Sequence, residues 1–157
     1  MSGKLKVAPK GDREIVMTRV MDAPRKLVFD AMTKPELLKR WFYGLEGWTL
    51  AVCQIDLRVG GRYRYVWKKD TTEMGMGGVY KEIVPPERIV ATGKFDEAWY
   101  PGEELDTTVL VEKAGKTTIT LTVQYESREA RDGVLASGAT AGVELGYGRL
   151  EKMLKEE

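Results

Sequence analysis

From Trp48 to Glu126 the hydropathy of the chain alternates with a period of two, interrupted only by turn signals. Alternation over such a length constrains the fold more than any other feature, because every strand then offers one apolar face that a second layer must cover. Candidate strands lie at 48–58, 62–69, 76–84, 87–96, 107–113 and 116–126. They are separated by Gly60-Gly61, the segment from Asp70 to Gly75, Pro85-Pro86, the longer DEAWYPGEELD and Ala114-Gly115. Turns of this composition join neighbouring antiparallel strands, so the run predicts a meander.

The flanks change period. REIVMTRVM reads as one further strand with Ile15, Met17 and Met21 on one face. Asp22 suits an N-cap ahead of APRKLVFDAMT, and Pro35 starts a second short helix in KPELLKRWF. From about Ser127 helical spacing returns through Val143, Tyr147, Leu150 and Leu154, which predicts one long C-terminal helix. The expectation is therefore an α+β chain: a curved sheet of seven antiparallel strands, two short helices, and one long helix laid over the apolar face. One helix is narrower than such a sheet, so a hollow between them is expected. Residues 1–12 read as a mobile polar leader and 13–157 as a single domain, since 157 residues suffice for one buried core.

Composition removes several function classes. The 25 Lys and Arg balance 24 Asp and Glu, leaving a net charge of +1 and no field to recruit nucleic acid or an anionic membrane. Residues 1–40 hold ten basic against five acidic side chains, but these are scattered as on a solvated face. The chain has no histidine, which eliminates Ser-His-Asp and Cys-His nucleophiles and imidazole metal sites. Neither a cofactor nor a metal site is expected. Cys53 is the only cysteine, so no intramolecular disulfide can form, and its place among Ala51, Ile55 and Leu57 suits a small core residue. No apolar run reaches the length of a signal peptide core or a membrane span, so the reading is soluble and cytoplasmic.

Four local features bear on a site. Gly60-Gly61 precedes a strand and not a helix, so it reads as a turn and not as a phosphate loop. Tyr63, Tyr65 and Trp67 share one face of strand 62–69, while Arg62, Arg64 and Lys68 share the other and mark the solvent side. Such rings fit either a packed core or a cavity wall, and in both cases their hydroxyl and N–H groups need partners. Tyr80, Trp99 and Tyr147 are candidates for the same lining. Arg19 interrupts the apolar face of the first strand, and if it points inward it needs an acid such as Glu82 or a ligand anion. Gly138, Gly142 and Gly146 fall four apart and leave a bare stripe, suited either to close helix-to-sheet packing or to an enlarged cavity.

Four strings taken in order, TRVMDAPRKLVFDAMTKPELLKRWF, DLRVGGRYRY, GGVYKEIVPPERIVATGKF and RLEKML, resemble the SRPBCC helix-grip superfamily, which includes the START domains and the birch pollen allergen. Within it the chain is most similar to small proteins like the C-terminal domain of the activator of the heat-shock-protein-90 ATPase. The resemblance spans about residues 13 to 155 and implies a helix-grip fold with an internal cavity. It says little about chemistry, since members include ligand carriers, cyclases, lyases and co-chaperone modules. One departure is the glycine-rich GATAGVELGYG, where relatives commonly carry a bulky aromatic.

The leading expectation is non-catalytic binding of a small, largely apolar or amphipathic ligand, with Arg19, Tyr63, Tyr65, Trp67, Tyr80, Trp99, Gly142, Gly146 and Tyr147 as the site and no catalytic or metal-binding residue. The alternatives are a lyase or cyclase using Tyr or Glu as acid or base, and a stress-response module that regulates a heat-shock ATPase, with a chaperone as partner. A buried carboxyl group facing the cavity would favour the enzyme; an exposed apolar patch would favour the module. A monomer or homodimer is expected in each case.

Overall fold

A computed structural model describes residues 4–156. Eight strands form one antiparallel sheet in the order β1-β2-β8-β7-β6-β5-β4-β3. They are β1 (Lys6–Lys10), β2 (Glu14–Met21), β3 (Thr49–Ile55), β4 (Arg62–Lys69), β5 (Thr72–Val84), β6 (Arg88–Phe95), β7 (Glu104–Lys113) and β8 (Lys116–Gln124). Four helices complete the chain: α1 (Arg25–Thr33), α2 (Pro35–Leu38), α3 (Arg128–Ser137) and α4 (Ala139–Lys155). The α+β architecture expected from the alternation, in the helix-grip form that the resemblance implies, is present, with two changes in the element count.

The first change is an eighth strand. β1 lies within the segment read as a leader and pairs with β2 from Lys6↔Thr18 to Lys10↔Glu14. All five of its residues are exposed, so it carries no apolar alternation, and its Pro9 is tolerated because the strand is an edge. Residues 1–3 of that segment lie outside the described residues.

The second change is at the C-terminus, where two helices replace one. Gly138 adopts φ +81, a left-handed conformation that ends α3 and opens α4. Ser127 caps α3, its hydroxyl accepting from the Ala130 N–H at 3.0 Å. At the other end of the fold Asp22 does not cap α1; Pro24 holds that position, and no side chain caps the helix. The Asp22 N–H instead donates to Glu151 Oε2 at 2.8 Å, tying the β2–α1 connection to α4.

The core runs between the concave face of the sheet and α4. Ile15, Met17 and Met21 of β2 meet Leu150, Met153 and Leu154 of α4 and Val28 and Phe29 of α1 in one apolar cluster. A register shift between Leu50 and Val52 in β3 turns Leu50 inward, leaves Ala51 exposed, and brings Cys53 and Ile55 against the core edge. The Cys53 thiol is half-buried, and desolvation first of all raises its pKa to about 11, so it stays protonated, as a packing residue should.

Candidate functional site

The sheet and the end of α4 nearest Gly138 do not close on each other. Between them lies a cavity of about 740 Å³, within the size range of small-molecule sites. Met17 and Ile15 of β2, the inward residues of β4 to β8, Trp41 and Phe42 after α2, and Gly142, Val143, Gly146 and Tyr147 of α4 form its walls. Leu45, Met74 and Trp99 also line it while remaining exposed, and so mark the mouth. No helix among the described residues is long and apolar enough to cross a membrane.

Eight of the nine expected site residues line this cavity: Tyr63, Tyr65, Trp67, Tyr80, Trp99, Gly142, Gly146 and Tyr147. The three rings of β4 face inward together, with Tyr63–Tyr65 centroids 4.8 Å apart and Tyr65–Trp67 centroids 5.8 Å apart. Their polar groups find protein partners and do not depend on a ligand. The Tyr63 hydroxyl donates to the Thr92 carbonyl at 2.7 Å, the Trp67 Nε1–H donates to the Phe42 carbonyl at 3.0 Å, and Tyr65 and Tyr80 share a hydrogen bond. Trp99, 49 % exposed, belongs to the rim.

Arg19 is the exception. It points inward, as the face of Ile15 and Met17 implies, but it lies outside the cavity wall. Its Nη2 contacts Glu151 Oε1 at 3.3 Å, and both side chains are only 8 % exposed. The expected partner, Glu82, is held elsewhere: β8, β7 and β6 separate β5 from β2, and Glu82 binds Arg88 at 3.0 Å. Arg19 is thus a structural ion pair joining β2 to α4.

The glycine stripe divides into three roles. Gly138 is the helix break. A Cβ on Gly142 would meet nothing within 4 Å, so this glycine faces open space. A Cβ on Gly146 would touch the Trp41 ring at 3.5 Å, so this one is packed. Trp41 is fixed there by its own Nε1–H, which donates to the Ala31 carbonyl at 3.0 Å.

The structure adds a polar cluster that the alternation did not reveal. Glu104 and Asp106, two apart on β7, share its inward face and line the cavity. Opposite Asp106 in register are Ala91 on β6 and Val123 on β8, a small and an apolar neighbour that offer no counter-charge. The Tyr100 hydroxyl donates to Glu104 Oε1, and Asp106 hydrogen-bonds to Glu104 in turn. Asp106 Oδ1 is the buried side-chain oxygen without a hydrogen-bond partner among the described residues. Burial, followed by the charge of Glu104 and the hydrogen bond with it, pushes the Asp106 carboxyl well above the usual carboxylate range. Asp106 therefore keeps its proton and gives the hydrogen bond that Glu104 accepts.

Around the pair stand tyrosines whose phenols are all pushed up, in each case by burial first: Tyr63, Tyr65, Tyr100, Tyr125 and Tyr147, together with Tyr80, which rises to about 12. At neutral pH they are hydrogen-bonding phenols and not bases. Among the described residues no group of three or more His, Cys, Asp or Glu could hold a metal ion.

A curved antiparallel sheet gripping a C-terminal helix over an aromatic, largely apolar cavity defines a helix-grip protein. Residues 22–155 match the family described as activator of Hsp90 ATPase homolog 1-like protein, and the chain belongs to that family. No curated protein matches the chain significantly. Among solved structures, a protein from Rhodobacter sphaeroides is 28 % identical over 98 % of this chain and 100 % of its own, with a TM-score of 0.92. A protein from Chromobacterium violaceum is 26 % identical over 92 % of this chain and 99 % of its own, with a TM-score of 0.78. An AHSA1-like protein from Aeromonas hydrophila, 16 % identical over 89 % of this chain and 93 % of its own, shares the fold at a TM-score of 0.74.

Proposed function

We propose that the sheet, β1 included, and its helices act as one domain that binds a small, largely apolar ligand in the cavity under α4, without catalysing a reaction on it. The observation that carries this reading is the cavity itself: about 740 Å³ of space walled mainly by aromatic and aliphatic side chains, with a mouth formed by Leu45, Met74 and Trp99. Interiors normally pack to crystal-like density, so an unfilled apolar volume of this size costs stability unless something occupies it. Gly142 supports the same reading, since an alanine there would favour the helix and yet the position is left bare toward the cavity. Absence of a strong net charge fits a cytoplasmic carrier or sensor of small molecules and not a nucleic-acid or membrane-surface protein.

The carboxyl pair favours one further reading, acid–base catalysis of the lyase or cyclase type. Protonated Asp106 would serve as the acid and Glu104 as the base, with the neutral tyrosines orienting the substrate. Native mass spectrometry of protein purified without denaturant tests both. A single bound small molecule recovered unchanged supports the carrier; its conversion on incubation, lost in Glu104→Gln, supports the enzyme; apo protein that takes up no apolar compound contradicts both.

A further inference from the structure

The cavity is apolar in most directions, but its ionisable lining carries one sign only. Its wall contains Glu104 and Asp106 and no Lys or Arg. Among the described residues neither carboxyl pairs with a cation: Glu104 is met by the Tyr100 hydroxyl and by Asp106, and Asp106 Oδ1 is buried with no partner. A pair of adjacent carboxyls that shares one proton keeps one negative charge. Held away from bulk water without a counter-charge, that charge is costly, and the cost is relieved by a cation or by a strong hydrogen-bond donor brought in from outside.

The surroundings favour a cation over a merely polar group. The ring of Tyr100 packs at 5.3 Å from that of Tyr125, and Tyr63 and Tyr147 also stand near Asp106, so the carboxyl pair is surrounded by tyrosines, with the Tyr100 hydroxyl turned to Glu104. Phenol oxygens that already donate their proton can still accept from the N–H groups of an ammonium. Gly93, opposite Glu104 in register, lets the cluster close up, since a Cβ there would come within 3.1 Å of the Glu104 side chain, of Met76 and of the Tyr63 hydroxyl.

We propose that the ligand is a cationic amphiphile, an aromatic or aliphatic body ending in a protonated amine, with the amine seated at Glu104–Asp106 and the body filling the space toward Trp67 and Gly142. This rests on the ligand-binding reading above and adds the ligand's polar end to it. An anionic amphiphile such as a fatty acid is excluded by the same charge.

Isothermal titration of the full chain at pH 7 with three matched probes, 2-naphthylmethylamine, 2-naphthylmethanol and 2-naphthylacetate, tests it. The amine is expected to bind about ten-fold or more tightly than the alcohol, with the carboxylate weakest. In Glu104→Gln/Asp106→Asn the amine's advantage is expected to vanish while the alcohol's affinity persists. Equal binding of amine and alcohol, or preference for the carboxylate, would overturn the cationic ligand and leave the cavity reading intact. Binding of none of the three would overturn both. The comparison on the unmodified protein decides the matter even if the double variant fails to fold.

Discussion

Glu104 and Asp106 stand two residues apart on β7 and share a hydrogen bond inside the cavity, with Asp106 holding the proton. This relationship makes β7 the polar side of an otherwise apolar chamber, and it has a consequence for stability. A folded-state pKa raised above the unfolded value, about 3.9 for Asp, means that the folded protein binds the extra proton. Stability from this group is complete below pH 4 and falls as pH rises through the folded value. The groups facing Asp106 are Glu104 on β7, Tyr63 and Tyr65 on β4, Tyr100 ahead of β7, Tyr125 after β8 and Tyr147 on α4, and the phenols stay neutral across that window. Asp106→Asn lacks the slope, so its melting temperature relative to wild type should climb as pH rises above about 4. A difference independent of pH would show that Asp106 titrates normally.

The two glycines of α4 should respond oppositely to the same change. Gly142→Leu enters open space, gains about 0.5–1 kcal/mol of helix preference and fills part of the cavity. Gly146→Leu drives its outer atoms into the Trp41 ring and should lose about 1–3 kcal/mol by overpacking. Urea unfolding of both variants checks the pair of signs.

Arg19 and Glu151 form a buried link between β2 and α4, at 3.3 Å and shielded from solvent. Removing Arg19 takes a charge partner from buried Glu151, which keeps the Asp22 N–H, so Arg19→Met should cost about 1–3 kcal/mol in chemical denaturation. Probe affinity should persist in the folded fraction, because Arg19 lies outside the cavity wall. A loss of affinity with stability intact would return Arg19 to the ligand site.

Gly78 on β5 crosses β6 with no room for a side chain: a Cβ there would overlap the Thr92 carbonyl oxygen and press on the Tyr63 ring at 2.9 Å. Gly78→Ala must move backbone, and a loss of about 1–3 kcal/mol is expected. It should also disturb the bond from the Tyr63 hydroxyl to Thr92, visible as a change in near-ultraviolet circular dichroism.

Much of this fold was legible in the alternation of the sequence, because strands with one wet face reveal their period. What escaped did so where that rule fails. β1 is exposed on every residue and has no face to report. The first residues of β7 were read as part of the loop DEAWYPGEELD because their inward side chains, Glu104 and Asp106, are acidic. A strand whose buried face is polar looks like a turn, and that is where the most distinctive chemistry lies. The clue available was spacing: Glu104, Asp106, Thr108 and Leu110 continue a period of two into the recognised strand. The aromatic face from Tyr63 to Trp67 and the bare position at Gly142 were legible as site candidates. Arg19's partner was not, since ion pairs between β2 and α4 depend on how the chain closes.

The most direct test of the ligand-binding account is a titration of wild type and Gly142→Leu with the neutral fluorophore N-phenyl-1-naphthylamine. Saturable one-to-one binding with a blue-shifted emission is expected for wild type, weakened about ten-fold or more in Gly142→Leu, whose stability is unchanged or higher. Binding that is absent, or equal in the two proteins, would contradict a ligand site beneath α4.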